Sequence, residues 1–323
     1  MITVLTLNPS VDRSYVLEDF ALGKVQRAKS VTATAGGKGL NVSRVISTLG
    51  GTVSCLGFLG GFTGGFIKQE LAACNLIDCF TPIHGTTRIC MNFRDDKGLS
   101  TEVLESGPDI LPEELERFEQ QLRRNIKRTK ILVGSGSLAK GIPTDYYGKI
   151  ARICKAAEVR FILDSSGESL RMAIKEQPFL VKPNEEELEY ITGMKIKTVD
   201  DAFTSSSLLL QLGAENVCVS MGRSGMILNG SLGQFVVRVP NIAVTNTVGC
   251  GDSLVSGLAY ALYKNYKVAE VLKFANACAL SNAVHSGVGQ VNAEQVKRFT
   301  KEVHVQAYVS KKTNRIMVQC PLK

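Results

Sequence analysis

The chain has no tryptophan and only three histidines among 323 residues, and each shortage removes a class of function. Basic residues crowd positions 123–130 and recur at Lys311, Lys312, Arg315 and Lys323, but no aromatic side chains are interleaved with them. The formal charge of +8 therefore reads as solvated helix ends, or as a field suited to anionic substrates, before it reads as a nucleic-acid surface. His84, His285 and His304 accompany no Gly-x-Ser-x-Gly elbow, so a hydrolase triad finds no support. The nine cysteines are scattered without Cys-x-x-Cys or Cys/His spacing, which speaks against a zinc site. No apolar run approaches the ~20 residues that cross a bilayer. Met1 to Leu7 read as a short strand and not an export signal, so reduced thiols and a cytoplasmic location are expected. Internal repeats and low-complexity tracts are also lacking.

What remains is an ordinary globular composition, 44% hydrophobic and 21% charged, in which β-rich runs alternate with amphipathic helices. Strands are expected over 2–7, 52–56, 131–134, 160–163, 179–181 and 217–220. Helices are expected over 40–49, 66–73, 112–126, 144–157, 185–192, 200–212, 253–263 and 268–283. Such alternation predicts an α/β fold, a doubly wound and mostly parallel sheet flanked by helices. Residues 14–34 and 86–105 break the rhythm by alternating apolar and polar residues without a helix. Asp95-Asp96-Lys97-Gly98 supplies a hairpin turn there. These two segments predict a small β-sheet placed as a lid over the strand ends. One domain over 1–310 is expected, followed by an extension at 311–323 with no assignable role.

Glycine-rich segments carry the chemistry. Gly249-Cys250-Gly251-Asp252 opens a helix, and unpaired N–H groups at the positive end of a helix dipole form an anion site. Asp252 beside that site could take a proton from a hydroxyl, as phosphoryl transfer to an alcohol requires. The alternative is a tight turn with an acidic first-turn residue. Cys250, opening the helix, is expected to be a modifiable thiol of low pKa. Gly36-Gly37-Lys38-Gly39-Leu40-Asn41 is a second close-approach loop, with Lys38 and Asn41 one helical turn apart. It is not a Walker loop, because neither Ser nor Thr follows the lysine. Gly134-Ser135-Gly136-Ser137-Leu138-Ala139 imitates a dinucleotide fingerprint, but Pro143 interrupts the helix that fingerprint needs. In Lys182-Pro183-Asn184-x-x-Glu187, Asn184 and Glu187 form a capping box, or Glu187 holds a magnesium-bound water. Ser220-Met221-Gly222-Arg223-Ser224-Gly225 is a strand-end turn that hints weakly at nucleotide contact.

Taken together these motifs resemble the PfkB, or ribokinase-like, carbohydrate kinases. Thr6-Leu7-Asn8-Pro9-Ser10-Val11-Asp12, the Gly36 and Gly249 segments, and Lys182-Pro183-Asn184-x-x-Glu187 stand in the family's order over residues 1 to about 305. Leu104-Glu105-Ser106-Gly107-Pro108 and the Gly134 loop are similar to segments of its phosphosugar branch, the tagatose-6-phosphate kinases and 1-phosphofructokinases. The resemblance implies ATP and Mg2+ as cofactors and a ketohexose phosphate as acceptor, tagatose 6-phosphate before fructose 1-phosphate or fructose 6-phosphate. It implies that Asp12, Gly37, Lys38 and Asn41 hold the sugar, and that Arg88, Ser137 and Lys140 hold its phosphate. Lys182, Asn184, Ser220, Gly222, Gly225 and Asn276 would line the nucleotide site, Glu187 would act through metal-bound water, and Asp252 would be the base. Asn246 stands where many members carry aspartate, which puts any monovalent-cation effect in doubt. A homodimer through the small sheet is compatible with this layout, without direct sequence evidence. The competing reading from another class is a non-catalytic sugar-phosphate sensor, which should lack a base at 252 or the glutamate at 187.

Overall fold

The strand β1 (Ile2–Thr6) is buried along its whole length and pairs in parallel with β4 (Val53–Leu59) on one side and β9 (Ile131–Ser135) on the other. A fully buried, mostly apolar strand of this kind sits centrally, with helices over both faces. The computed structural model describes residues 1–309, so the extension at 311–323 lies outside the described residues. Beyond β4 lie β5 (Ile77–Asp78) and β6 (Thr81–Pro82). Beyond β9 follow β10 (Arg160–Asp164), β11 (Leu180–Val181) and β12 (Asn216–Ser220), all parallel. The sheet then continues antiparallel through β13 (Met226–Gly230), β14 (Phe235–Arg238) and β15 (His304–Ala307). Those last three strands extend the expected sheet by an antiparallel edge. Strand order runs out from β1 in both directions, so β1 and β9 flank a switch point whose carboxyl ends open a ligand crevice.

Helices cover both faces: α1 (Lys38–Thr48), α2 (Gly61–Ala73), α3 (Pro112–Ile126), α4 (Tyr146–Ala156), α5 (Gly167–Ile174), α6 (Glu185–Thr192), α7 (Val199–Leu212), α8 (Cys250–Tyr263), α9 (Val268–Ala283) and α10 (Ala293–Glu302). Alternation along β1 assigns Ile2 and Val4 to one apolar cluster and Leu5, with the following Leu7, to the other. The first cluster packs α1, α8, α9 and α10; the second packs α3 to α7. α2 begins five residues before its expected start, across Gly61-Phe62-Thr63-Gly64-Gly65. Glycine disfavours a helix, but Thr87 pins this turn, accepting from Gly60 N at 3.0 Å while Thr63 Oγ1 donates to Thr87 O at 2.6 Å. Pro143 does delay the helix after the Gly134 loop, which starts only at Tyr146. No helix among the described residues is long and apolar enough to cross a membrane.

The two irregular segments form a separate four-stranded sheet from β2 (Ser10–Leu17), β3 (Ser30–Gly36), β7 (Arg88–Asp95) and β8 (Ser100–Leu104), in the order β3-β2-β7-β8. The turn at Asp95–Gly98 closes through Gly98 N donating to Asp95 O at 3.1 Å. Tyr15, Phe93 and Phe20 stack in series, both centroid separations being 5.1 Å. The strands start earlier than the sequence pattern suggested, at Ser10, and this places Asp12 within the sheet, opposite Thr34 and Cys90.

Candidate active site

Gly249 caps α8, and its φ of 81° lies in the left-handed region that favours glycine. A Cβ there would also lie 2.7 Å from Val288 Cγ1, so no larger residue fits this cap. The turn delivers Asp252 to the first turn of α8, buried at 6% exposure. Its Oδ2 accepts from Asn41 Nδ2 at 2.8 Å. Ser256 Oγ donates to Val42 O at 3.2 Å, a second tie between α1 and α8, so two helix N-termini are held together at this carboxylate. Burial pushes Asp252 up to about 6; the Asp164 charge adds to this, while Asn41, Lys38 and Lys182 oppose it. The carboxylate is then ionised at neutral pH by a narrow margin, because loss of water outweighs the helix dipole.

Asp164, at the carboxyl end of β10, is the site residue that the sequence reading missed. It is 1% exposed and stands between two lysines, with Lys182 Nζ 3.1 Å from Oδ1 and Lys38 Nζ 3.6 Å from Oδ2. Burial alone would raise its pKa, but Lys182 and Lys38 overcome this and hold it below the ordinary carboxylate range. Asp164 in turn raises Lys38 above the usual ammonium range. Lys182 is 4% exposed, and a Cβ on Gly251 would lie 3.9 Å from its Nζ. A cation thus faces the cradle of Gly249, Cys250 and Gly251 from outside the helix. The signal that could have flagged Asp164 was its position, an acid ending an apolar parallel strand next to the switch point.

The residues expected to hold a sugar phosphate lie on segments that meet beyond the end of β1. Gly36 exists to admit Asp12, since a Cβ would fall 2.1 Å from the Asp12 carboxyl carbon. Asp12 accepts from Ser10 Oγ at 2.6 Å, and burial raises its pKa against the effects of Ser10, Arg88 and Arg44. Gly37 caps α1 and so places Lys38 at its first position. Arg88 donates to Glu105 O and Asn8 O, each at 3.0 Å, and its buried Nε has no hydrogen-bond partner. Two of the five guanidinium N–H groups are spent on these carbonyls, so donors remain for an anion, as an anion-binding arginine should have. Ser137 is exposed, within 3.5 Å of Asn8 Nδ2, so Arg88 and Ser137 share Asn8 as a neighbour. Lys140 is exposed too, its backbone paired with the segment around Ile110.

On the other side, Asn184 and Ser220 are bridged between adjacent strand ends. Asn184 Oδ1 accepts from Glu187 N at 2.7 Å while Glu187 Oε2 accepts from Asn184 N at 2.9 Å, so the capping box is real. Gly222 opens an exposed 3-10 turn through Ser224, and Gly225, with φ 88°, closes it against Val237 O. Asn276 is buried and its Nδ2 donates to Leu272 O in its own helix, so no hydrogen bond brings it to the other candidates. Cys250 departs from expectation. Burial raises its thiol above the ordinary value, despite the Asn282 Nδ2 donor at 3.4 Å, so the dipole at the start of α8 does not make it a thiolate. Asn246 spends its side chain locally, donating to Ser286 O and accepting from Val248 N, both at 3.0 Å.

Residues 5–295 match the profile of the pfkB family carbohydrate kinases. The chain belongs to that family. It is 39% identical over 308 residues to a tagatose-6-phosphate kinase of Staphylococcus epidermidis, covering 94% of this chain and 99% of the relative. It is 37% identical over 305 residues to the 1-phosphofructokinase of Bacillus subtilis, at the same coverage. Among solved structures, phosphofructokinase-2 from Escherichia coli in complex with potassium superposes with a TM-score of 0.85 at 25% identity, covering 93% of this chain and 98% of that one. As a family kinase, the chain is a phosphotransferase with an alcohol group as acceptor. The ribokinase-like fold expected from the motif order is therefore present.

Proposed function

We propose that the chain transfers the γ-phosphoryl group of ATP to a hydroxyl of a ketohexose phosphate, with Asp252 as general base. The observation that carries this reading is the buried Asn41–Asp252 pair at the N-terminus of α8, flanked by Lys38 and Lys182. The acceptor hydroxyl gives its proton to Asp252 as its oxygen bonds the phosphorus, and the bond to the β-phosphate oxygen breaks to leave ADP. A base near pKa 6 is largely ionised at pH 7 yet still basic enough to take that proton. The N–H groups of Gly249, Cys250 and Gly251, with Lys182 opposite, would stabilise the charge on the passing group without reorganisation. Asp12, Gly37, Lys38 and Asn41 would hold the sugar, while Arg88, Ser137 and Lys140 would meet its phosphate. Lys182, Asn184, Ser220, Gly222, Gly225 and Asn276 would form the nucleotide side. The small sheet would serve as a lid that excludes water.

Magnesium fits this arrangement as a hydrated ion. The ion would be held mostly by the donor's phosphate oxygens and water. Glu187 uses Oε2 in its cap, leaving Oε1 to hold a metal-bound water. When bound, the ion would supply charge neutralisation between the phosphates.

Tagatose 6-phosphate is the favoured acceptor, with fructose 1-phosphate and fructose 6-phosphate close behind. The two curated relatives differ by only 39% against 37% identity, and the furanose forms have similar outlines with phosphate at either end. A coupled ADP-release assay across the three sugars decides among them, and turnover on none would favour a sugar-phosphate sensor. Val31, Val103 and Leu104 leave apolar surface on the small sheet, so a homodimer through it is to be tested by sedimentation.

A further inference from the structure

Arg44, one turn beyond Asn41 on α1, ends the Ala35–Arg44 glycine segment and was given no role in the sequence reading, yet its guanidinium joins three parts of the site. Nη1 donates to Asn41 Oδ1 at 3.2 Å and to Val288 O at 3.1 Å, and Nη2 donates to Ala35 O. Ala35 immediately precedes the Gly36-Gly37 loop, and Val288 is the residue that covers Gly249. Space around this fork is tight, since a Cβ on Gly289 would lie 3.2 Å from Arg44 Nη1 and 3.1 Å from Asn41 Cβ. Asn41 lies 6% exposed between Arg44 and Asp252.

A guanidinium can only donate, and an ionised carboxylate can only accept. An asparagine between them has one favourable orientation, with Oδ1 toward Arg44 and Nδ2 toward Asp252. The flipped amide would set its oxygen against the carboxylate and its NH2 against the guanidinium. We propose that Arg44 is a positioning residue for phosphoryl transfer, locking the Asn41 amide so that its N–H holds Asp252 toward the acceptor hydroxyl. The role rests on Asp252 being the base. It also explains why an arginine is needed here, because a lysine ammonium cannot span Asn41, Ala35 and Val288 with a planar fork.

Asp252 faces Asp164 from β10, Lys38 from α1, Lys182 from the segment after β11, and Cys250 on its own helix. None of these changes when Arg44 is replaced. The Asn41 hydrogen bond favours the ionised carboxylate, so releasing that amide raises the proton affinity of Asp252 and moves the acid limb of kcat to higher pH. A hydrogen bond to a charged group corresponds to a shift of about one pH unit.

The test is kcat against pH, by ADP release, for Arg44→Met and Arg44→Lys in the native and Asn41→Ala backgrounds, with Asp252→Asn alongside. Arg44→Met should move the acid limb up by about one unit and lower kcat at pH 6.5 about threefold. Arg44→Lys should shift it the same way by less, and carries the test if Arg44→Met does not fold. In the Asn41→Ala background neither change should move the limb further. An unmoved limb, or a shift that adds in full without Asn41, overturns the role and leaves Arg44 as a structural tie. If Asp252→Asn keeps native turnover, the base itself falls and this role with it. If Asp252→Asn is inactive while the Arg44 variants keep the native limb, only the role of Arg44 falls.

Discussion

On the proposed acceptor side of the cleft, charged and polar groups are paired with one another: Arg44 with Asn41, Asn41 with Asp252, Lys38 and Lys182 with Asp164. On the donor side, Asn184 and Glu187 spend their bonds on a helix cap, the Gly222–Ser224 turn is exposed, and Asn276 turns to its own backbone. The difference has a chemical logic. The acceptor side must hold a base against a hydroxyl to within a fraction of an ångström, and fixed partners remove the entropy of finding that position. The donor side has to admit and release a nucleotide at each turnover, and backbone groups with small residues suffice for that. Lys182 crosses the division, since Asp164 draws it from the donor motif into the acceptor network.

Breaking the acceptor side should have the larger consequences. Asp252→Asn should lower kcat by ~10²–10⁴. It should not lower the melting temperature, because burial raises the Asp252 pKa, so the ionised carboxylate disfavours folding above pH 6, a cost relieved as pH falls toward 4. Lys182→Met leaves Asp164 with only the half-exposed Lys38, and should cost about 3–5 kcal/mol in chemical denaturation. Asp164 has a depressed pKa, so its contribution is present above about pH 4 and lost as pH falls through the folded value. Arg88→Ala should raise KM for the phosphosugar by about 10–100-fold, the loss of a charged hydrogen bond, with KM for ATP unchanged. On the donor side, Glu187→Ala should cost only about 1 kcal/mol of stability through the lost cap. A larger fall in kcat than in melting temperature would show that Glu187 also serves the metal. Cys250 should be alkylated no faster than an ordinary thiol at pH 7.5, and fast modification would restore the low-pKa expectation.

This same division governs what could be read from the sequence. Close approach and caps need particular residue types at fixed spacing, so the loops at Gly36 and Gly249 and the Asn184–Glu187 box were legible. Asp164 and Arg44 were not, because each is one polar residue on an otherwise regular strand or helix. Their meaning comes in part from partners more than 100 residues away, Lys38 for Asp164 and Val288 for Arg44. Pattern also misjudged α2, where Thr87 overrules a poor helix former, and Cys250, where burial overrules the dipole. The strands β13 and β14 follow β12 by short chain reversals, and β15 returns to their edge after α10, an antiparallel edge that parallel alternation does not announce.

The central claim, that Asp252 is the base, is tested most directly by kcat against pH in the native protein and in Asp252→Asn, using the phosphosugar turned over fastest. The native profile should fall on the acid side with an apparent pKa near 6, and that limb should be absent from the residual activity of the variant. Any limb from the sugar's own phosphate would persist in both. An identical profile at near-native turnover in Asp252→Asn would contradict the account.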